Sequence, residues 1–151
     1  KGKKIFIIHY ADLLKFICKQ YFDWDGKKDE AGRSLLQHIG TDVFRKRDQG
    51  FWVNHVISIL KIMQNGIDYA LIPDCRFMNE ITQPSLLFKT HTIYVDRFGH
   101  RSSLSQRQQN HESETALENF EFDICIDNNR DLEELKTAVE KTCQVIEDGG
   151  V

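Results

Sequence analysis

Paired cysteines, long apolar runs and a surplus of positive charge are all missing from this sequence. The four cysteines (Cys18, Cys75, Cys125, Cys143) form no CxxC pair and no Cys/His cluster. That spacing argues against a disulfide framework and against a zinc site. Three of them stand in apolar runs, where cysteine serves as a small core residue, so reduced structural thiols are expected. No stretch approaches the ~20 apolar residues that cross a bilayer. The basic start Lys1-Gly2-Lys3-Lys4 leads into a short apolar run without a small-residue cleavage site, unlike a secretory signal. The expectation is a cytoplasmic protein with no membrane contact. Acidic residues (23) outnumber Lys and Arg (20), for a formal charge of -3. A nucleic-acid binder calls for a basic face or stripe, so no nucleic-acid partner is expected. A few local arginines could still hold a small anion.

What is present fits one domain of 151 residues, 40% hydrophobic and 28% charged. Ile5 to Tyr10 is a continuous bulky apolar run, the mark of a strand buried on both faces. From Ala11 the period changes to three and four residues (Leu13, Leu14, Ile17, Cys18, Tyr21), which predicts a helix ending near Gly26. A second helix is expected over Glu30 to Arg47, weakened or broken at Gly40, and a third over Phe51 to Asn65, stopped by Asn65-Gly66. Asp68 to Asp74 predicts a second strand that Pro73 ends. A short helix over Pro84 to Lys89 and a strand over Thr92 to Arg97 follow. Phe98 to Asn110 is polar and without period, as in a lid or binding loop. A strand over Phe122 to Ile126 and an amphipathic helix over Leu132 to Ile146 complete the chain. Strand-helix alternation predicts an α/β fold with a mostly parallel sheet flanked by helices in three layers. In such sheets ligands bind at the carboxyl ends of the strands. Those ends hold His9 to Asp12, Asp74 to Arg76, Asp96-Arg97 and Asp127-Asn128.

The segment Asp74-Cys75-Arg76-Phe77-Met78-Asn79-Glu80 carries the most chemistry. A strand-ending acid can hold a metal or its waters, and an arginine two residues on suits phosphate oxygens. Spacing alone equally allows Asp74 to cap a turn and Arg76 to pair with Glu80 or Asp74. At helical spacing Arg33, Gln37 and Thr41 share one face, continued by Arg45. That face could hold a base edge and a phosphate, or could simply be solvated.

The ordered segments YADLLK, GRSLLQHIGTD, DCRFMNE and SETALENFEFD resemble the deoxynucleoside monophosphate kinases known from phages, within the adenylate-kinase-like P-loop kinases. The resemblance runs through nearly the whole chain. It implies ATP-dependent phosphorylation of a deoxynucleoside 5′-monophosphate to the diphosphate, with ATP and Mg²⁺ as cofactors and small-molecule nucleotides as partners; it also allows a homodimer. Residue by residue, Lys15, Arg33, Gln37, Thr41, Arg45 and Trp52 would serve the acceptor, Trp52 equally as a core residue. Asp74 would organise Mg²⁺ and Arg76 grip the acceptor phosphate. Arg97 would flank the ATP base, and Arg101 and Arg107 would close over the transferring group from a lid at about 98–111. Glu114 and Thr115 would be structure at the base of that lid. The phosphomevalonate kinases share the layout and the late S-E-x-x-L segment, and supply the alternative; a nucleotide-binding module without turnover is another.

One departure is large. The G-x-x-x-x-G-K-[ST] loop that holds ATP phosphates is absent from the 151 residues. The expectation is therefore an N-terminally truncated enzyme piece, lacking the first strand and P-loop and inactive by itself, with a natural non-catalytic relative as the alternative.

Overall fold

The computed structural model describes residues 2–98 and 104–150; Arg101, and part of the expected lid, lie outside them. The order is β1 (Ile5–Ile7), α1 (Ala11–Tyr21), α2 (Glu30–Gln37), a π-helix (His38–Arg45), α3 (Phe51–Met63), β2 (Tyr69–Leu71), α4 (Met78–Ser85), β3 (Ile93–Asp96), α5 (Gln106–Gln109), α6 (Glu112–Thr115), β4 (Ile124–Asp127) and α7 (Leu132–Glu147). Among the described residues the strands form two parallel pairs, β1 with β2 and β3 with β4, rather than one sheet. Ile5, Phe6 and Ile7 face Tyr69, Ala70 and Leu71 in register; Ile93 to Asp96 face Ile124 to Asp127. The chain divides into two compact units, one made of residues 2–87 and 104–118, the other of 88–98 and 119–150.

The first unit holds most of the buried apolar surface. Cys18, Trp24 and Ile39 form a buried cluster joined by Leu14, Leu35, Leu36 and Phe44, and Val53 and Val56 of α3 are fully buried. Two glycines let these pieces close up. A Cβ at Gly32 would run into the Lys27 carbonyl and stand 2.8 Å from Trp24 Nε1, the same group that donates to Lys27 O at 2.9 Å. A Cβ at Gly40 would meet a Leu14 methyl at 2.7 Å. Trp52 Nε1 donates to the Gly40 carbonyl at 3.0 Å, so the π-helix carries an indole bond on its main chain.

The expected helix over 30–47 is thus present but changes type at His38. Its i,i+4 stripe of Arg33, Gln37, Thr41 and Arg45 stops being a stripe, because a π-helix repeats at i,i+5. The helix expected over Pro84 to Lys89 instead starts at Met78. Glu80 starts it: its Oε2 accepts the Phe77 amide at 3.1 Å, the back-bond that steadies a first turn. Pro84 sits inside the helix and has no N–H for the Glu80 carbonyl four residues earlier. The Tyr10 hydroxyl donates to that carbonyl instead, at 2.6 Å.

The strands were expected to be buried on both faces, yet Ile5 and Ile7 are 58% and 60% exposed. A two-stranded sheet has too little width to be covered on both sides as larger parallel sheets are. In the second unit α7 packs on β4, and Ile126 is the buried apolar residue among those described there. Cys125 and Cys143 are exposed rather than core, while Cys18 is buried; all four thiols are free.

Candidate functional site

The polar residues expected at strand ends gather, within the first unit, where β1 and β2 finish. Asp74 lies three residues beyond β2 and turns back onto the start of α1. Its Oδ1 accepts the Tyr10 amide at 2.9 Å and its Oδ2 the Ala11 amide at 3.0 Å. Those are two of the donors a helix start leaves unpaired, and a negative charge is favoured there. One carboxylate thereby fixes the end of β2 to the beginning of α1. Just beyond, Asp12 accepts the His9 amide at 3.0 Å and lies 3.2 Å from His9 Nδ1 and 3.5 Å from Lys15 Nζ. Burial works against its charge, but the bonds from His9 prevail and hold the carboxyl below its ordinary value.

Beneath this rim lies a buried network. Arg45 pairs with Glu80, donates to Asn79 Oδ1 at 2.9 Å and to Gln49 O at 3.3 Å, and lies over the Phe77 ring at 3.7 Å from its centre. The Glu80 Oε2 also takes the Arg76 amide at 2.7 Å. Burial pushes the Glu80 carboxyl up, against the bonds from Arg76 and Phe77 and the charge of Arg45. Burial likewise raises the Cys75 thiol to about 12, aided by the Glu80 charge, so Cys75 stays a neutral, unreactive thiol. Among the described residues every buried side-chain polar atom has a partner.

The predicted residues divide accordingly. Asp74 and Arg76 follow β2 on the same segment, but their side chains part: Asp74 turns to the start of α1 and Arg76 to α6, while Lys15, on α1, lies 3.5 Å from Asp12. Arg45 and Trp52 lie inside, their donors engaged by Glu80, Asn79, Gln49 and Gly40 rather than turned to a ligand. Thr41 is buried; Gln37 donates to Gln108 O at 3.3 Å and Arg33 to Lys28 O at 2.7 Å. Arg107 is exposed on α5. Arg97 follows β3 in the second unit. At the described end of the stretch expected as a lid or binding loop, Ser105 caps α5, and Gln108, 3% exposed, donates to Glu30 O and Ser34 Oγ, both at 3.1 Å. Tyr10 and Asn79 lay inside the highlighted segments, but residue-level reading gave neither a role. The signal for Tyr10 was Pro84 at helical distance from Glu80, a carbonyl in need of a donor.

Arg76 is the more exposed of the two cations assigned to the site, Lys15 being the other. Its main chain is tied to Glu80, and its Nη1 donates to Glu114 and, at 3.2 Å, to Ser113 O. The side chain remains 48% exposed.

Small parallel sheets flanked by helices, with charged groups collected at their carboxyl ends, define a mixed α/β protein of the class that handles ligands at strand ends. Comparison with known proteins narrows this. Residues 6–139 match the deoxynucleotide monophosphate kinase family, and the chain belongs to it. It is 30% identical over 116 residues to the deoxynucleotide monophosphate kinase of Enterobacteria phage T4, a match covering 76% of this chain and 46% of that protein. It is 31% identical over 111 residues to the enzyme of the same name from Escherichia phage RB69, covering 72% and 43%. The chain spans somewhat less than half the length of these relatives.

Proposed function

We propose that these residues form the acceptor side of a nucleotide kinase, binding a deoxynucleoside 5′-monophosphate whose phosphate receives the γ-phosphoryl group of ATP. The observation that supports this most is the half-exposed Arg76 two residues after a main-chain-anchored Asp74, just beyond the end of β2. A guanidinium there offers paired donors to a phosphate, and Lys15 adds a second positive charge. The acceptor phosphate is its own nucleophile, so no general base is required; catalysis rests on positioning and charge neutralisation. Arg33 and Gln37 extend the acceptor surface. Arg107 and Arg101 belong to the transferring group and Arg97 to the ATP base, in a three-layer kinase fold.

Magnesium binds by one or two carboxylates together with waters and substrate phosphates. Asp74 fits that use: each oxygen has one lone-pair direction left after the Tyr10 and Ala11 amides. The ion proposed is one carried on nucleotide phosphates, for which a single carboxylate suffices. Such an ion neutralises phosphate charge when bound. Asp74's part is to hold its side of that complex still.

The 151 residues contain no G-x-x-x-x-G-K run, so they are expected to bind acceptor without transferring phosphate. Calorimetry of this chain with the four deoxynucleoside 5′-monophosphates, and with the matching nucleosides, tests it. At least one monophosphate should bind, and its nucleoside should bind at least about tenfold more weakly, the loss of one charge-assisted contact. Equal binding of nucleoside and monophosphate would sink the reading.

A further inference from the structure

We infer that Glu114 is a positioning residue for the acceptor phosphate: it holds Arg76 by one nitrogen so that the rest of the guanidinium edge is presented to the ligand. This inference rests on the proposed role of Arg76. The geometry is one-sided. Nη1 is occupied twice, by the Glu114 carboxylate and by the Ser113 carbonyl. Nε and Nη2 have no partner among the described residues, and the side chain is half exposed. A planar guanidinium fixed at one corner can turn very little, and its Nε/Nη2 side matches two phosphate oxygens. The cost of holding a long side chain still is then met before the ligand arrives.

Glu114 is itself held. Its amide donates to His111 O at 2.8 Å, and its Oε1 lies 3.4 Å from Ser113 Oγ. Ser113 is buried, its hydroxyl 3.0 Å from His111 Nδ1, and its amide donates to that same nitrogen at 3.2 Å. The other end of Arg76 is equally constrained, since the Glu80 carboxylate takes its amide and is buried against Arg45. Arg76 is therefore clamped at main chain and side chain by two glutamates from different elements, α4 and α6. An opposite role is conceivable for a carboxylate on a phosphate-binding arginine: it could occupy the arginine as a substitute anion that the ligand must displace. The open Nε/Nη2 side decides against displacement, because a phosphate can bind there with Glu114 in place.

The test is binding of the four deoxynucleoside 5′-monophosphates to the chain and to Arg76→Ala, Glu114→Gln, Glu114→Asp and the Arg76→Ala/Glu114→Gln double variant, with thermal melts alongside. Arg76→Ala should weaken the tightest monophosphate about 100-fold and Glu114→Gln about tenfold, as expected for charge-assisted contacts made directly and at one remove. Glu114→Asp should recover part of the loss. The double variant should bind no worse than Arg76→Ala alone, since Glu114 acts only through the arginine. Tighter binding by Glu114→Gln would show a competing anion and overturn the inference, as would unchanged binding or a full tenfold further loss in the double variant. Arg76→Ala binding like the parent chain would instead remove the role of Arg76 on which the inference stands.

Discussion

The two units are built from the same parts, a parallel strand pair and helices, yet are held together by different means. In the first, α1, α2, the π-helix and α3 enclose a core containing both tryptophans, and an ion pair is buried behind the strand ends. In the second, α7 has no buried residue, and the polar ties are exposed ones: Asp123 to the Thr92 amide and hydroxyl, both at 2.7 Å, and Asp127 to Asn129. Buried polar groups are strongly committed, because removing one partner strands the other without water. Exposed ones are interchangeable with water and contribute little. The candidate site lies on the committed side, where the half-exposed Arg76 is tied at main chain and side chain.

The sharpest way to break this contrast is Glu80→Ala. It leaves Arg45 buried without its partner and frees the amides of Arg76 and Phe77, so a loss of about 3–5 kcal/mol is expected. Urea unfolding followed by tryptophan fluorescence reports it, because Trp24 and Trp52 both belong to the first unit. A loss below about 1 kcal/mol would mean that the ion pair behaves as a surface one.

A smaller effect separates the two close-approach glycines. At Gly32 the obstacle is main chain and a bonded indole, and overpacking there should cost about 1–3 kcal/mol. At Gly40 the obstacle is a Leu14 methyl that can turn aside, so Gly40→Ala should cost less. Thermal melts of the two variants give the order; a reversed order would show that the Trp24–Lys27 turn yields more readily than the α1 packing.

The smallest effect concerns acid. Bonds from the Thr92 amide and hydroxyl hold Asp123 below its ordinary 3.8. A carboxyl with a depressed folded value stabilises the fold above its unfolded value, and that contribution disappears as the pH falls through the folded one. The β3–β4 pairing should thus weaken only below about pH 3.8, and Asp123→Asn should flatten that response. Amide hydrogen exchange at Ile93 to Asp96 measures it. Glu80 has the opposite sign: its raised value makes the folded state the better proton binder, so its contribution falls as the pH rises from about 4.5.

Much of the element order was legible because periodicity depends on which residues face a core. Helices α1, α3 and α7 begin and end within a few residues of their apolar stripes. What was not legible depended on single bonds between distant residues. Nothing in the spacing of Arg33, Gln37, Thr41 and Arg45 announces the π-helix; it takes the Trp52 indole on the Gly40 carbonyl to make sense of it. The Asp74–Arg76 pair was visible as a strand-end motif, and of the two readings left open for Asp74 the structure shows a helix cap, through the Tyr10 and Ala11 amides. The cap it makes is on α1, 63 residues away, rather than on the following turn. Arg76 does bond Glu80, but by its amide, and its side chain finds Glu114 instead.

The clamp on Arg76 also fixes an order of events on the ribosome. Arg45 and Glu80 are 35 residues apart and can pair as soon as α4 has emerged. Glu114 is made 38 residues after Arg76, a delay of roughly 2–8 s at typical elongation rates. During that interval the nascent chain carries its main-chain anchor with the guanidinium still swinging. The fixed Arg76 side chain is therefore a late product of translation, set after α1 to α4 exist, and a pause between codons 80 and 114 would prolong the unclamped form.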